Sequence, residues 1–292
     1  MSIFHDLLDR FPEQRCITKL GVVGYREAGT ANNRLPIVLL HGIGSGAASW
    51  VCQLDVLGRD HHVLAWDAPG YGATTPVDAA QPQADDYGQK LAAWLDAMNI
   101  ERCILVAHSL GAIMASAFAG RFPQQVQGLL LLSPAIGYGK DLALVRSEKR
   151  DSRLRMAAEL GMEGMAEKRS ANLLSANAGV AEREWIRWNM ARIPAAGYAQ
   201  ATHLLANADV PESIATYDGP LSIAVGSADA ITPPEKCQQL AAQLQGAERS
   251  VPFYIFDNAG HACYVEDAKA VTQFINEFAA TVISILRNES HA

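Results

Sequence analysis

Short unbroken apolar runs recur through the first half of the chain, and each stops at a turn. Ile37-Val38-Leu39-Leu40 ends at His41-Gly42, and Val63-Leu64-Ala65-Trp66 ends at Asp67 and the turn Pro69-Gly70. Cys103-Ile104-Leu105-Val106 and Leu129 to Leu132 have the same character. Runs this short, with no polar alternation, predict strands buried on both faces. Between the second and third run, Asp85 to Met98 places Tyr87, Leu91, Trp94, Leu95 and Met98 on one side of a helix. Apolar strands alternating with helices predict an α/β fold, with a mostly parallel central sheet and helices on both faces. The opening pair, Cys16 to Leu20 and Val22 to Glu27, turns at Gly21 and reads as an antiparallel edge hairpin.

The alternation breaks after Pro134. From Gly137 to Pro220 the pattern is helical and holds no convincing strand. Its most charged stretch, Arg146 to Arg155, reads as a solvated helix face. The strand pattern resumes at Leu221 to Val225 and at Pro252 to Phe256, and Val265 to Leu286 closes the chain as a helix. A connection as long as 137–220 needs structure of its own. The expectation is an α/β core in two parts, 1–136 and 221–292, with a helical cap over 137–220.

Composition narrows the partners. With 292 residues, 49% of them hydrophobic, the chain has enough material for one large core plus an insertion. A net charge of −7 gives no electrostatic reason to bind nucleic acid or an anionic membrane. No apolar run reaches transmembrane length, and the first residues lack the basic-then-apolar pattern of a signal peptide. Cys16, Cys52, Cys103, Cys237 and Cys263 are odd in number and include no C-x-x-C pair. They read as free thiols of a reducing compartment, without a zinc site. The expected partner is a small-molecule substrate in the cytoplasm. A homo-oligomer is left open.

Four turns carry candidate chemistry, each at the carboxyl end of an expected strand, where open α/β sheets place their sites. Ala107-His108-Ser109-Leu110-Gly111 joins a strand to a helix rich in small residues. A serine on so tight a turn thrusts its hydroxyl above the sheet, provided its neighbours are small. Taken alone, Ser109 also fits a helix N-cap. His41-Gly42-Ile43-Gly44-Ser45-Gly46 is glycine-dense backbone that can approach a ligand and offer N–H groups, while His41 suits a backbone hydrogen bond better than proton transfer. Asp229, after the strand Leu221 to Val225, can reach a histidine on the next strand's turn, and His261 stands on that turn behind Gly260.

These blocks resemble the α/β-hydrolase fold family, in the branch of 3-oxoadipate enol-lactonases, carboxylesterases and the C–C hydrolases of aromatic ring-cleavage products. The likeness covers nearly the whole chain: His41 to Trp50, Trp66 to Gly72, Ala107 to Gly111, Gly226 to Pro233 and Asn258 to His261. The chain order Ser, Asp, His is that of this fold. Ala107 stands where the family's elbow usually has glycine. Gly197-Tyr198-Ala199 and Ala208-Asp209 look like the enol-lactonases, whereas Arg187-Trp188 loosely resembles the C–C hydrolases. The resemblance implies Ser109 as nucleophile, His261 as general base and acid, and Asp229 orienting the histidine. It implies an oxyanion hole of the Ile43 and Leu110 amides, and no metal or organic cofactor. Trp50, His108, Arg187 and Trp188 are the candidates for substrate contact. The implied activity is hydrolysis of a small ester or lactone. The alternatives are C–C cleavage, which would need Arg187 to grip a charged dienoate, and a non-catalytic ligand-binding role.

Overall fold

The computed structural model describes residues 3–30, 34–246 and 249–289. Helix α1 (Ile3–Arg10) precedes the hairpin β1 (Gln14–Thr18) and β2 (Gly21–Ala28). There follow β3 (Ile37–Leu40), α2 (Val51–Leu57), β4 (Val63–Trp66), α3 (Ala84–Ala97), β5 (Cys103–His108), α4 (Leu110–Arg121) and β6 (Val126–Leu132). The chain then leaves the sheet for α5 (Ala143–Arg169), α6 (Val180–Ala191), α7 (Ala195–Asn207) and α8 (Val210–Ser213). It returns through β7 (Leu221–Gly226), α9 (Pro234–Leu244), β8 (Phe253–Phe256), α10 (Cys263–Glu266) and α11 (Ala268–Glu289).

The strands form one eight-stranded sheet in the order β1-β2-β4-β3-β5-β6-β7-β8. β1 and β2 pair antiparallel and β2 meets β4 antiparallel, while the remaining pairs are parallel. The mostly parallel sheet is the one expected from the apolar runs, and the arrangement is the α/β-hydrolase fold that the resemblance implied. Each run alternates between two cores, as the two-residue repeat of a strand requires. Val38, Leu40, Leu105 and Leu131 face a layer containing Leu91, Ile113 and Phe118. Ile37, Leu39, Val106 and Leu130 face the opposite layer, with Leu54, Val271 and Ile275. Full burial of each such side chain stabilises the fold by roughly 1.5–3 kcal/mol, an upper bound because the unfolded chain already hides some surface.

Two local features differ from the expectation. The closing helix is broken at Asp267, whose φ of −121° and ψ of 60° end α10; its carboxylate then accepts from the Ala270 amide at 3.1 Å and caps α11. α5 bends at Gly161, which has φ 64° with nothing near the position a side chain would take. Residue order places the site. The sheet reverses direction at β3, since β4 lies on one side of it and β5 on the other. The loops after β3 and β5 therefore open next to each other, at the kind of switch point where α/β sheets bind ligands. Among the described residues no helix is long and apolar enough to cross a membrane.

Candidate active site

The turn after β5 is strained in a way that serves one atom. Ser109 has φ 52° and ψ −116°, a region that costs a non-glycine residue about 1–3 kcal/mol. Its backbone is pinned on both sides: its amide donates to Leu132 O at 3.0 Å, and its carbonyl accepts from Ala112 N at 3.0 Å and Ala135 N at 3.1 Å. The turn fits only because its neighbours are small. A methyl group on Gly111 would stand 2.5 Å from Leu40 O, and one on Gly42 would stand 2.9 Å from the Ser109 Cβ. Ala107 is wholly buried in β5, so the alanine in place of the usual glycine is accommodated. The Ser109 hydroxyl makes no helix-capping bond, which removes the N-cap reading.

That hydroxyl lies 2.9 Å from His261 Nε2. His261 Nδ1 lies 2.9 Å from Asp229 Oδ2. An ionised carboxylate only accepts, so Nδ1–H donates to it and Nε2 presents a lone pair to the serine. Asp229 is itself held: Oδ1 accepts from the amides of Ile231 at 2.8 Å and Thr232 at 2.9 Å, and Oδ2 accepts from Thr232 Oγ1 at 2.8 Å. Burial works to raise the Asp229 pKa, but His261 and these donors outweigh it and bring it down to about 2. The Asp229 and His261 turns are in contact, since a methyl on Gly226 would meet Ala259 O at 2.2 Å and Gly260 O at 2.4 Å.

Side chains and backbone around it hold the histidine loop in place. Gly260 N donates to Glu266 Oε2 at 2.9 Å and Ser175 N to the same oxygen at 3.0 Å, while Ser175 Oγ donates to Oε1. Ala262 N donates to Leu173 O at 2.7 Å, so the segment between α5 and α6 is tied directly to the His261 turn. His108 Nε2–H donates to the His261 carbonyl at 2.8 Å. Burial, aided by His261 nearby, pushes the His108 pKa down to about 3, so the ring stays neutral. His41 is likewise held neutral by burial, at about 4; its Nε2 accepts from Ala68 N at 2.9 Å, leaving Nδ1–H to donate to Gly42 O at 2.8 Å. Both its nitrogens are spent on backbone, as the sequence suggested. The Cys263 thiol, pushed up to about 12 by burial, stays protonated.

A cavity of about 270 Å³ opens above Ser109. Ile43, Leu110, His108 and Tyr264 are on its wall with Ser109 and His261. Leu110 is the first residue of α4, so its N–H has no acceptor within the helix. Tyr71 Oη donates to Ile43 O at 3.0 Å and steadies that peptide. Three of the four expected substrate contacts stand elsewhere. Trp50 is fully buried in the core and stacks on Tyr264 at 4.1 Å, one layer behind the wall. Arg187 is exposed and pairs with Glu167. Trp188 stacks on Trp185 at 4.8 Å, with Arg192 over its ring at 4.6 Å. The reason is helical phase: Ile186 and Met190, four residues apart on α6, line the cavity, and that turns 187 and 188 away.

The charged stretch of α5 holds what the sequence reading missed. Lys149 and Arg153, also four apart, lie on the cavity wall, as does Arg169 at the end of the helix. Arg153 Nη2 reaches the Tyr138 hydroxyl at 3.5 Å. A face of one stretch can be buried while the rest is solvated; the four-residue spacing of 149 and 153 was the available signal. No cluster of three or more His, Cys, Asp or Glu side chains able to hold a metal occurs among the described residues.

Known proteins resemble this chain in sequence and in fold. An abhydrolase domain-containing protein of Caenorhabditis elegans is 35% identical over 104 residues, which are 35% of this chain and 23% of that protein. A biotin biosynthesis bifunctional protein of Cellvibrio japonicus is 25% identical over 249 residues, 84% of this chain and 48% of that protein. The chain thus spans less than half the length of either relative. Two solved structures share the fold. A thermophilic esterase from Thermogutta terrifontis superposes with a TM-score of 0.80 at 23% identity, covering 93% of this chain and 99% of its own. The enol-lactonase from Burkholderia xenovorans gives 0.77 at 21% identity, covering 91% and 100%. The model of the alpha/beta hydrolase family matches residues 37–274, from the first parallel strand into the last helix and through all four candidate turns, and the chain belongs to that family.

Proposed function

We propose that this hydrolase cleaves a small carboxylic ester or lactone through an acyl-enzyme on Ser109. The observation that carries the reading is the unbroken chain from Asp229 through His261 to Ser109, at 2.9 Å on each side of the imidazole and ending in a cavity. His261 Nε2 takes the serine proton as Oγ attacks the carbonyl carbon. Asp229 holds the imidazole in the tautomer that leaves Nε2 free and stabilises the imidazolium. The Ile43 and Leu110 amides receive the oxyanion, each such donor contributing roughly 3 kcal/mol to the transition state. His261 then returns the proton to the leaving oxygen, and water, activated by the same nitrogen, releases the acid.

C–C cleavage rested on Arg187, whose ion pair lies outside the cavity, and this favours the ester or lactone reading. The test is a panel of a short aryl ester, an enol-lactone and a 2-hydroxy-6-oxo-dienoate, run beside labelling by a serine-directed phosphonate. The ester or the lactone is expected to have the highest kcat/KM, with one phosphonate bound at Ser109. A dienoate preferred by more than tenfold, or no labelling, overturns the reading.

Two further outcomes follow from the same assignment. Glu266 acts as a positioning residue, because its carboxylate alone joins the Gly260 amide to Ser175. Glu266→Ala should lower kcat by about tenfold to a hundredfold with little change in KM, the size of effect expected when a catalytic base drifts by about 1 Å. Glu266→Gln keeps an oxygen for the two amides and should recover part of the rate. Equal kcat in both variants and the parent removes Glu266 from this role.

We also read residues 137–220 as a cap that sets selectivity, supported by the cavity contacts of Ile186, Met190 and Leu205. Met190→Phe replaces a pliable side chain with a rigid one. It should shift kcat/KM toward shorter acyl chains by about tenfold, since one methylene in a pocket is worth roughly that factor. An unchanged chain-length profile in a folded variant counts against the cap role.

A further inference from the structure

The molecule is acidic, with a net charge of −7, yet the wall of this cavity has the opposite sign. Lys149, Arg153, Arg169 and Lys236 line it, against a single carboxylate side chain, Asp141. Asp141 is already engaged by Lys149 at 2.7 Å, and that ammonium lies over the Tyr138 ring at 4.4 Å. Neither Arg153 nor Arg169 takes part in any ion pair among the described residues. Both are partly buried.

A guanidinium withdrawn from water without a counter-charge is costly, and the cost is recovered when an anion arrives. The groups around Arg153 suit that arrival. Tyr138 Oη accepts from Arg153 Nη2 at 3.5 Å, and Tyr198 stands on the same wall. The Tyr138 phenol therefore keeps its own O–H as a donor, and the Tyr198 hydroxyl can donate as well. A planar guanidinium fork flanked by two hydroxyl donors matches a carboxylate, which accepts along two edges. Met165, Ile186, Met190 and Leu205 give the wall an apolar stretch that suits a short hydrocarbon spacer.

We propose that Arg153, with the hydroxyls of Tyr138 and Tyr198 and with Arg169 on the same wall, seats a carboxylate, and that the substrate is an ester or lactone bearing one. The link to turnover rests on the reading of Ser109 given above; the seat itself does not.

Two matched pairs of esters test it. The first carries charge on the acyl side: 4-nitrophenyl hydrogen glutarate against its neutral isostere, 4-nitrophenyl 5-methylhexanoate. The second carries it on the alcohol side: the butyrate ester of 4-hydroxybenzoate against that of 4-isopropylphenol. In one pair the charged member should have the higher kcat/KM by at least about tenfold, the range of a hydrogen bond to a charged group. The pair that shows the preference identifies the half of the substrate that enters the seat. Arg153→Met should cut the charged-to-neutral ratio by about tenfold to a hundredfold, and Arg153→Lys, which keeps charge but loses the fork, by less. If Arg153→Met does not fold, Arg153→Lys and Arg169→Met carry the same test.

Calorimetric titration of Ser109→Ala protein with glutarate separates this inference from the hydrolase reading. Glutarate binding that Arg153→Met abolishes, together with a parent protein that turns over no ester, keeps the seat and removes the nucleophile. No charge preference in either pair overturns the proposal. So does a preference that survives Arg153→Met, and so does inorganic phosphate binding more tightly than glutarate.

Discussion

Ser109→Ala is expected to lose about six orders of magnitude in ester turnover while keeping its fold. The size follows from the loss of the hydroxyl proposed to form the acyl-enzyme; the amides proposed for the oxyanion and the cavity remain and leave a residual rate. The intact fold follows from what the hydroxyl does not do. It makes no capping bond to α4, and its contact is with His261 Nε2 at 2.9 Å on the cavity wall. The bonds that hold the turn all belong to the Ser109 backbone and persist in alanine. Alanine and serine tolerate the positive φ about equally, so the strain at 52° is carried over unchanged. Circular dichroism, the thermal midpoint and turnover should be measured on one preparation. Turnover within tenfold of the parent sinks the assignment of Ser109, and a lost midpoint with lost turnover shows that the turn needed the hydroxyl after all.

Much of this arrangement was legible in the sequence because its causes are local. Apolar runs such as Ile37 to Leu40 must be buried on both faces, and a parallel sheet is the structure that does so. The turns at Ser109, Asp229 and His261 were readable because tight backbone demands small neighbours, and Gly42, Gly111, Gly226 and Gly260 supply them. Chain order did the rest, since consecutive strand ends on one edge of a sheet must converge.

What failed to read through was the phase of the helices between β6 and β7. Arg187 and Trp188 looked like site residues by type, but α6 turns Ile186 and Met190 inward instead. Trp50 looked like a wall residue and is a layer deeper, supporting Tyr264. Arg153 was hidden for the opposite reason. Ten residues rich in charge have so little apolar signal that no face stands out, and only the packing of Tyr138 and Tyr198 against the helix marks one. Local chemistry is written in local sequence; the direction in which a polar helix presents one arginine depends on partners far along the chain.

Asp229→Asn should cost about four orders of magnitude in kcat, because it reverses the imidazole. The surroundings of Asp229 decide which way the new amide points. Oδ1 accepts from two backbone amides, Ile231 at 2.8 Å and Thr232 at 2.9 Å. Those donors cannot turn, so the asparagine oxygen must take their place and the NH₂ must face His261. Nδ1 then becomes the acceptor, the proton moves to Nε2, and the lone pair that would accept from Ser109 is gone. Thr232 Oγ1, 3.2 Å from Nδ1, cannot reverse this, since it too would donate once its own acceptor at Oδ2 is replaced by NH₂. The charge that stabilises the imidazolium is lost at the same time. Serine-directed labelling should slow in parallel with turnover, as both require Nε2 to accept the proton, while the thermal midpoint moves far less than it would for a misfolded turn. A loss below tenfold would mean that another carboxylate orients His261. Labelling at the parent's rate would mean that Ser109 is activated without the histidine, and the chain from Asp229 to Ser109 would then be a structural contact rather than a path for the proton.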